Sequence, residues 1–173
     1  MMFHEEIKPS RDERMVADSI RAFVAQKFGM VPQPEIRFVR ETTPRRDAFW
    51  TDERAVGLVR DGIAYVRAGL TPTRLARVIV HECEHVRQTR LACRTLKVSY
   101  SLECDERSAR LVEWEIFGDL PSRATYDEVI DYVKREQSKL LRAKCAPLIR
   151  RASERHLALL KSGGLKIPNI EYR

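Results

Sequence analysis

Residues 69–91 read GLTPTRLARVIVHECEHVRQTRL, and the fold turns on how this stretch is taken. Thr71 suits an N-cap, because its hydroxyl can accept a backbone N–H that a helix start leaves unpaired. Pro72 suits the first helical position, where no N–H is needed. Leu75, Ala76, Val78, Ile79 and Val80 then leave the helix almost no polar side. Such a helix is expected to be buried on most sides before it reaches His81. There the sequence changes character, and residues 81–85 read HECEH.

The chain has 4 histidines, and two of them stand four residues apart in this stretch. On a helix that spacing sets Cβ atoms about 5–6 Å apart on one face, so two imidazoles can converge on one ion at roughly 2.0–2.1 Å. Glu82 is one residue on, about 100° round the helix. It can flank a metal and reach a water beside it. This is the HExxH logic of zinc hydrolases. The competing reading is a helix with two solvent-facing histidines. It sits poorly with the apolar run before His81, and a glutamate on a mostly buried helix needs a use. Cys83, inside the motif, reads as a buried structural thiol.

A third ligand would come from the next element. Residues 99–118, SYSLECDERSARLVEWEIFG, read as an acid-rich helix that Gly118 can end. It offers Glu103, Asp105, Glu106, Glu113 and Glu115, with Cys104 as a softer donor. HECEH followed by ERSARLVEWE resembles the gluzincins, in which HExxH lies on one helix and a glutamate ligand on the next, often in an E-x-x-A context. Residues 106–109 read ERSA. The order of helix, strand pair, HExxH helix and glutamate helix resembles the compact members, the minigluzincins and the ImmA/IrrE-type peptidases, over roughly residues 30–120.

The resemblance implies a zinc metallopeptidase in which His81, His85 and Glu106 bind Zn2+ and Glu82 is the general base. Glu103, Cys104 and Asp105 remain rivals for the third ligand. The substrate expected is one specific intracellular protein. The resemblance also points to the strand before the active helix, near Ile63–Ala68, as the edge to which an extended substrate adds. Two positions depart from the relatives. Glu84 stands where a small or uncharged residue is usual, and Arg110 where many relatives carry an acid or amide that orients a ligand histidine. Asp105 or Glu113 is left to do that work. Tyr100, Tyr126, Tyr132 and His156 are candidates for stabilising an oxyanion.

Outward from the motif the elements are short and well punctuated. Ser10 with Glu13 forms a capping box ahead of a first helix, whose apolar stripe is Met15, Ile20, Phe23, Val24 and Phe28 and whose end is Gly29. Residues 34–41, PEIRFVRE, alternate weakly as a strand. In 55–68 two β-prone runs flank Asp61-Gly62, a pair favoured in tight hairpins. Beyond residue 124 two helices are expected, the first opened by a Thr125–Glu128 capping box and the second starting at Pro147. The fold class expected from these elements is α+β, and the resemblance implies that it is zincin-like. A small antiparallel or mixed sheet with a β-hairpin packs on the active-site helix and the glutamate helix, between N-terminal and C-terminal helices.

A chain of 173 residues with 43% apolar and 33% charged residues suits one soluble domain, 1–173. Residues 30–120 would form the core and 123–173 a basic extension. That extension holds 12 Lys or Arg against 6 Asp or Glu, most of the net charge of +7. Its plain meaning is a solvated face; its sharper one is a surface for nucleic acid or an acidic partner. This underlies an alternative function, a non-catalytic, metal-stabilised binding protein. The start MMFHEEIKPS lacks an apolar signal core, and no apolar run approaches the ~18 residues of a membrane span. A cytoplasmic location is the default, with Cys83, Cys93, Cys104 and Cys145 as thiols. Ser162-Gly163-Gly164 could hinge the tail into the cleft as an internal plug.

Overall fold

The computed structural model describes residues 5–40, 56–95 and 102–161; within these, the side chains of 92–95, 102–105, 149, 156 and 159–161 fall outside the description. The proposed tail hinge at 162–164 also lies outside it. The chain divides into two compact units, Met1–Glu136 and Gln137–Arg173. Among the described residues the architecture is α+β: four helices and a mixed sheet of three strands.

In the first unit, α1 (Arg11–Phe28) begins at the expected capping box. The Ser10 hydroxyl accepts the Glu13 N–H, and the Glu13 carboxylate accepts the Ser10 N–H at 2.8 Å. Gly29 ends the helix in the left-handed region at φ 66. The buried stripe differs from the expected one at its start. Met15 is 42% exposed and Val16 is buried in its place. The reason is helical phase: Val16 precedes Ile20 by four residues and shares its face, while Met15 is turned away.

Strand β1 (Glu35–Val39) pairs in parallel with β3 (Ile63–Arg67), and β2 (Gly57–Arg60) pairs antiparallel with β3, giving the order β1-β3-β2. Asp61 and Gly62 form the hairpin turn with φ 53 and 75. Both central residues with positive φ make a turn whose twist matches the strands. β3 is therefore the central strand, with both edges taken. The expectation that Ile63–Ala68 offers a free edge is corrected: β2 has the edge on the cleft side. The far edge of β1 is met by residues 5–7, where Ile7 N–H donates to the Phe38 carbonyl at 3.0 Å.

Helix α2 (Pro72–Thr95) is the hub, packing on α1, on the sheet and on α3 (Leu102–Phe117). Of the apolar run, Leu75, Ala76, Ile79 and Val80 are fully buried and Val78 is half-buried against the cleft; Cys83 and Val86 extend the buried face. Helix α4 (Tyr126–Lys161) starts at the Thr125–Glu128 box and runs unbroken through Pro147, where two helices were expected. The proline deletes only the bond to the Ala143 carbonyl, and that residue is exposed, so water can take the vacant place. No described helix is long and apolar enough to cross a membrane.

One buried acid ties the elements together. Glu13 is 6% exposed, and besides its cap it accepts the Gly69 N–H at 2.8 Å, joining α1 to the β3–α2 turn. Burial works to raise its pKa, but the bonds from Gly69 and Ser10 outweigh that and hold it below the usual value of 4.5. Its contribution is thus present above pH 4.5 and is lost as pH falls through the lower native value. Glu13→Ala is expected to cost about 2–4 kcal/mol at neutral pH, as two N–H groups lose a charged acceptor. In urea titrations the deficit relative to wild type should shrink as the pH is lowered below 4.5.

Candidate metal centre

His81 and His85 lie on consecutive turns of α2, and their Nε2 atoms approach to 3.2 Å. Glu106, on α3, meets both: Oε2 is 3.3 Å from His81 Nε2, and Oε1 is 3.3 Å from His85 Nε2. These three residues form a group able to hold a metal ion. A tetrahedral ion with bonds of about 2.0–2.1 Å has donor–donor edges of about 3.3–3.4 Å. The separation of the two histidine nitrogens is close to that edge, Glu106 meets each of them through a different oxygen, and two imidazoles with one carboxylate form a donor set that zinc accepts. Among the described side chains of the glutamate helix, Glu106 is the acid that meets both histidines at Nε2, while Glu113 approaches His81 alone. Those of Glu103, Cys104 and Asp105 lie outside the description.

The other nitrogen of each imidazole faces a side-chain oxygen. His85 Nδ1 is 2.9 Å from Gln88 Oε1. That oxygen can only accept, so Nδ1 donates and the Nε2 lone pair is left for the ion. Gln88 in turn is oriented by its Nε2, which donates to Glu84 at 3.2 Å. His81 Nδ1 lies 3.6 Å from Glu113 Oε2, so Glu113 takes the histidine-orienting place that Arg110 cannot fill. Burial tends to lower the His81 pKa, yet the bond to Glu113 and the charges of Glu82, Glu106 and Glu113 hold it above 6.5. Arg77 stands 4.0 Å from Glu113 and donates to the Phe117 carbonyl at 3.2 Å.

Glu84 has a definite place. It is 1% exposed and faces away from the ion site. Its oxygens accept two bonds from Arg87 at 2.6 Å, one from Gln88, and one from Ser108 Oγ at 3.3 Å. Ser108 belongs to α3, so this carboxylate pins the glutamate helix to the histidine helix. Sequence reasoning missed Gln88 and Ser108. Gln88 was accessible from its three-residue offset to His85 and four-residue offset to Glu84, which face one another on a helix. Ser108 was not, because its partner lies 24 positions away.

Glu82 is 5% exposed, and burial raises its pKa to about 7; His81 works against this and Glu106 adds to it. Its carboxyl lies against the start of β2. A Cβ built at Gly57 would fall 2.7 Å from Val78 Cγ1 and 2.8 Å from Glu82 Cδ. Only glycine lets the strand approach this closely. Gly57→Ala is therefore expected to displace Glu82 and to cost about 1–3 kcal/mol by overpacking. A thermal melt and a crystal structure of the variant would check both.

The site opens into a cleft of about 540 Å³. Its floor is α2 from Arg74 to His85, and its walls are Val56 and Gly57 on one side and Glu106, Arg110 and Glu113 on the other. Cys83 is on the opposite, buried face; burial first, and the Glu82 charge next, push its thiol to about 12, so it stays protonated. Neither described tyrosine candidate lines the cleft. The Tyr132 hydroxyl donates to the Ile116 carbonyl at 2.9 Å, and Tyr126 feels Glu13 and Asp12 of α1. Tyr100 and His156 lie outside the described side chains. Comparison of the chain with protein-family models, with curated proteins and with solved structures finds no match.

Proposed function

We propose that the protein is a zinc-dependent peptidase with a gluzincin-like site on a zincin-like fold. The observation that carries this is the juxtaposition of the His81–His85–Glu106 group, which could hold a metal ion, with the buried Glu82 in one open cleft. A purely structural zinc site is closed by four protein ligands; among the described residues the group numbers three, His81, His85 and Glu106. The helix–hairpin–helix–helix order and the mixed sheet are compatible with the zincin-like reading.

When bound, the ion would supply positive charge that acidifies water and polarises a carbonyl. The chain does the rest. His85 presents its Nε2 lone pair because Gln88 holds its Nδ1 proton, and Glu113 faces His81 Nδ1 at 3.6 Å. Glu82, with a pKa of about 7, can take a proton from water and return it to a departing amine. The β2 edge offers backbone groups to an extended peptide beside Gly57.

A second reading has one observation in its favour. The second unit is a helical segment whose described side chains from residue 141 onward are exposed, and it carries Lys139, Arg142, Lys144, Arg150, Arg151 and Arg155. That surface suits a nucleic acid or an acidic partner, with the metal serving stability alone.

The test is metal content and cleavage together. Zinc should bind at one equivalent per chain in equilibrium dialysis and be lost in Glu106→Ala. Full zinc in that variant would overturn the ligand assignment. Equal digestion of a denatured-protein mixture by wild type and Glu82→Gln would overturn the peptidase and leave the binding protein.

A further inference from the structure

Three arginines line the same cleft as the histidines: Arg74 and Arg77 from α2, and Arg110 from α3. They balance Glu82, Glu106 and Glu113 in that lining. Counting the described lining residues, a divalent ion between the ligands then leaves an excess of positive charge. The acids are already engaged. Glu106 faces both histidines, Glu113 sits between His81 and Arg77, and Glu82 is packed beneath β2.

The arginines are engaged unequally. Arg77 is tied to the Phe117 carbonyl. Arg74 is exposed and has no hydrogen bond or ion pair among the described residues. The Arg110 side chain is 76% exposed, and its contact with Glu106 is long, at 3.9 Å. Two guanidinium groups thus stand at the cleft surface with donors to spare. A guanidinium fork matches a carboxylate in shape as well as charge.

We propose that Arg74 and Arg110 are two carboxylate-recognising positions of this cleft, so that the peptides it selects are acidic. Arg110 follows Glu106 by one turn and flanks the reacting position. Arg74 precedes His81 by seven residues, two turns along the same face, which is about 10.5 Å of helix. An extended peptide covers that distance in about three residues. The carboxylate read by Arg74 therefore lies about three positions from the bond beside the histidines. The carboxylate is an Asp or Glu side chain or the end of a chain. The proposal rests on the peptidase reading for what happens at that bond, and on the arginines alone for which peptides are held.

The test measures capture, so it is independent of turnover. Immobilised Glu82→Gln protein with zinc is equilibrated with degenerate decapeptides, and the retained peptides are sequenced. One library is blocked at both ends and contains Asp and Glu; a second has free carboxyl termini and no acidic residues. Retention of the first, with Asp or Glu enriched about fivefold at one position, identifies side-chain carboxylates. Retention of the second alone identifies the chain end. Either supports the proposal.

Arg74→Glu/Arg110→Glu should abolish the enrichment and favour Lys or Arg instead. Arg74→Gln, at an exposed residue, should keep the wild-type melting temperature and lose most of the enrichment. Raising salt from low to physiological strength should weaken capture several-fold. No retention, no acidic enrichment, or enrichment unchanged in both arginine variants overturns the proposal. Capture of acidic peptides by a protein whose wild type cleaves nothing would overturn the peptidase and leave the carboxylate recognition standing.

Discussion

Glu82→Gln is expected to lower kcat by about 10²- to 10⁴-fold while zinc stays at one equivalent per chain. The amide keeps the size of the carboxyl beside Gly57 but cannot accept a proton from water. His81, His85 and Glu106 are untouched, so the metal should remain. The same substitution has an opposite effect on the metal-free protein. Burial raises the Glu82 pKa from 4.5 to about 7, so between those values the native state holds a proton that the unfolded chain has released. Relative stability is full below pH 4.5 and falls as pH rises through about 7. The loss is on the order of 3 kcal/mol at most. Glu82→Gln removes it, and the metal-free variant should melt above the metal-free wild type at pH 8 and match it more closely at pH 4. A variant that retains full turnover, or that melts lower at pH 8, would contradict the assignment of Glu82 as a buried base.

Glu84→Ala should be the most destabilising change near the site, and it should also weaken zinc. The carboxylate is 1% exposed and accepts four bonds, two of them from Arg87. Breaking a buried pair from one side costs about 3–5 kcal/mol when the other charge is trapped. The Arg87 side chain is 31% exposed and lies 5.5 Å from the Phe28 ring centroid, so it keeps some solvation and contact, and the lower figure, about 3 kcal/mol, is expected. Gln88 loses its anchor and no longer fixes the His85 tautomer. Loss of such support typically weakens metal binding about 10- to 100-fold. Glu84→Gln keeps the shape and should lie between wild type and alanine in both melting temperature and zinc affinity. Zinc affinity unchanged in a folded Glu84→Ala protein would mean that the Gln88 bond does not orient His85.

What the sequence by itself determined was everything carried by short range. Capping boxes at Ser10 and Thr125 are three-residue patterns, the Asp61-Gly62 turn is a two-residue one, and the His81–His85 pair needs only the pitch of a helix. Even Glu84 with Arg87 and Gln88 follows from offsets of three and four. Phase alone was misjudged, at Met15, and continuity at Pro147, because an exposed proline interrupts one hydrogen bond and not the helix around it.

The tertiary structure decided which partners meet across the chain. It brings Glu106 to the histidines and Glu113 to His81, because α2 and α3 pack face to face and burial selects one register of two amphipathic cylinders. It sets β3 between β1 and β2, which makes β2 the edge strand among the described residues and brings Gly57 against Glu82. It gathers Arg74 and Arg110 into one cleft from separate helices. None of these has a signature in local spacing. Each arises when apolar faces are buried together and the polar groups they carry must find acceptors, donors or an ion in the space that remains.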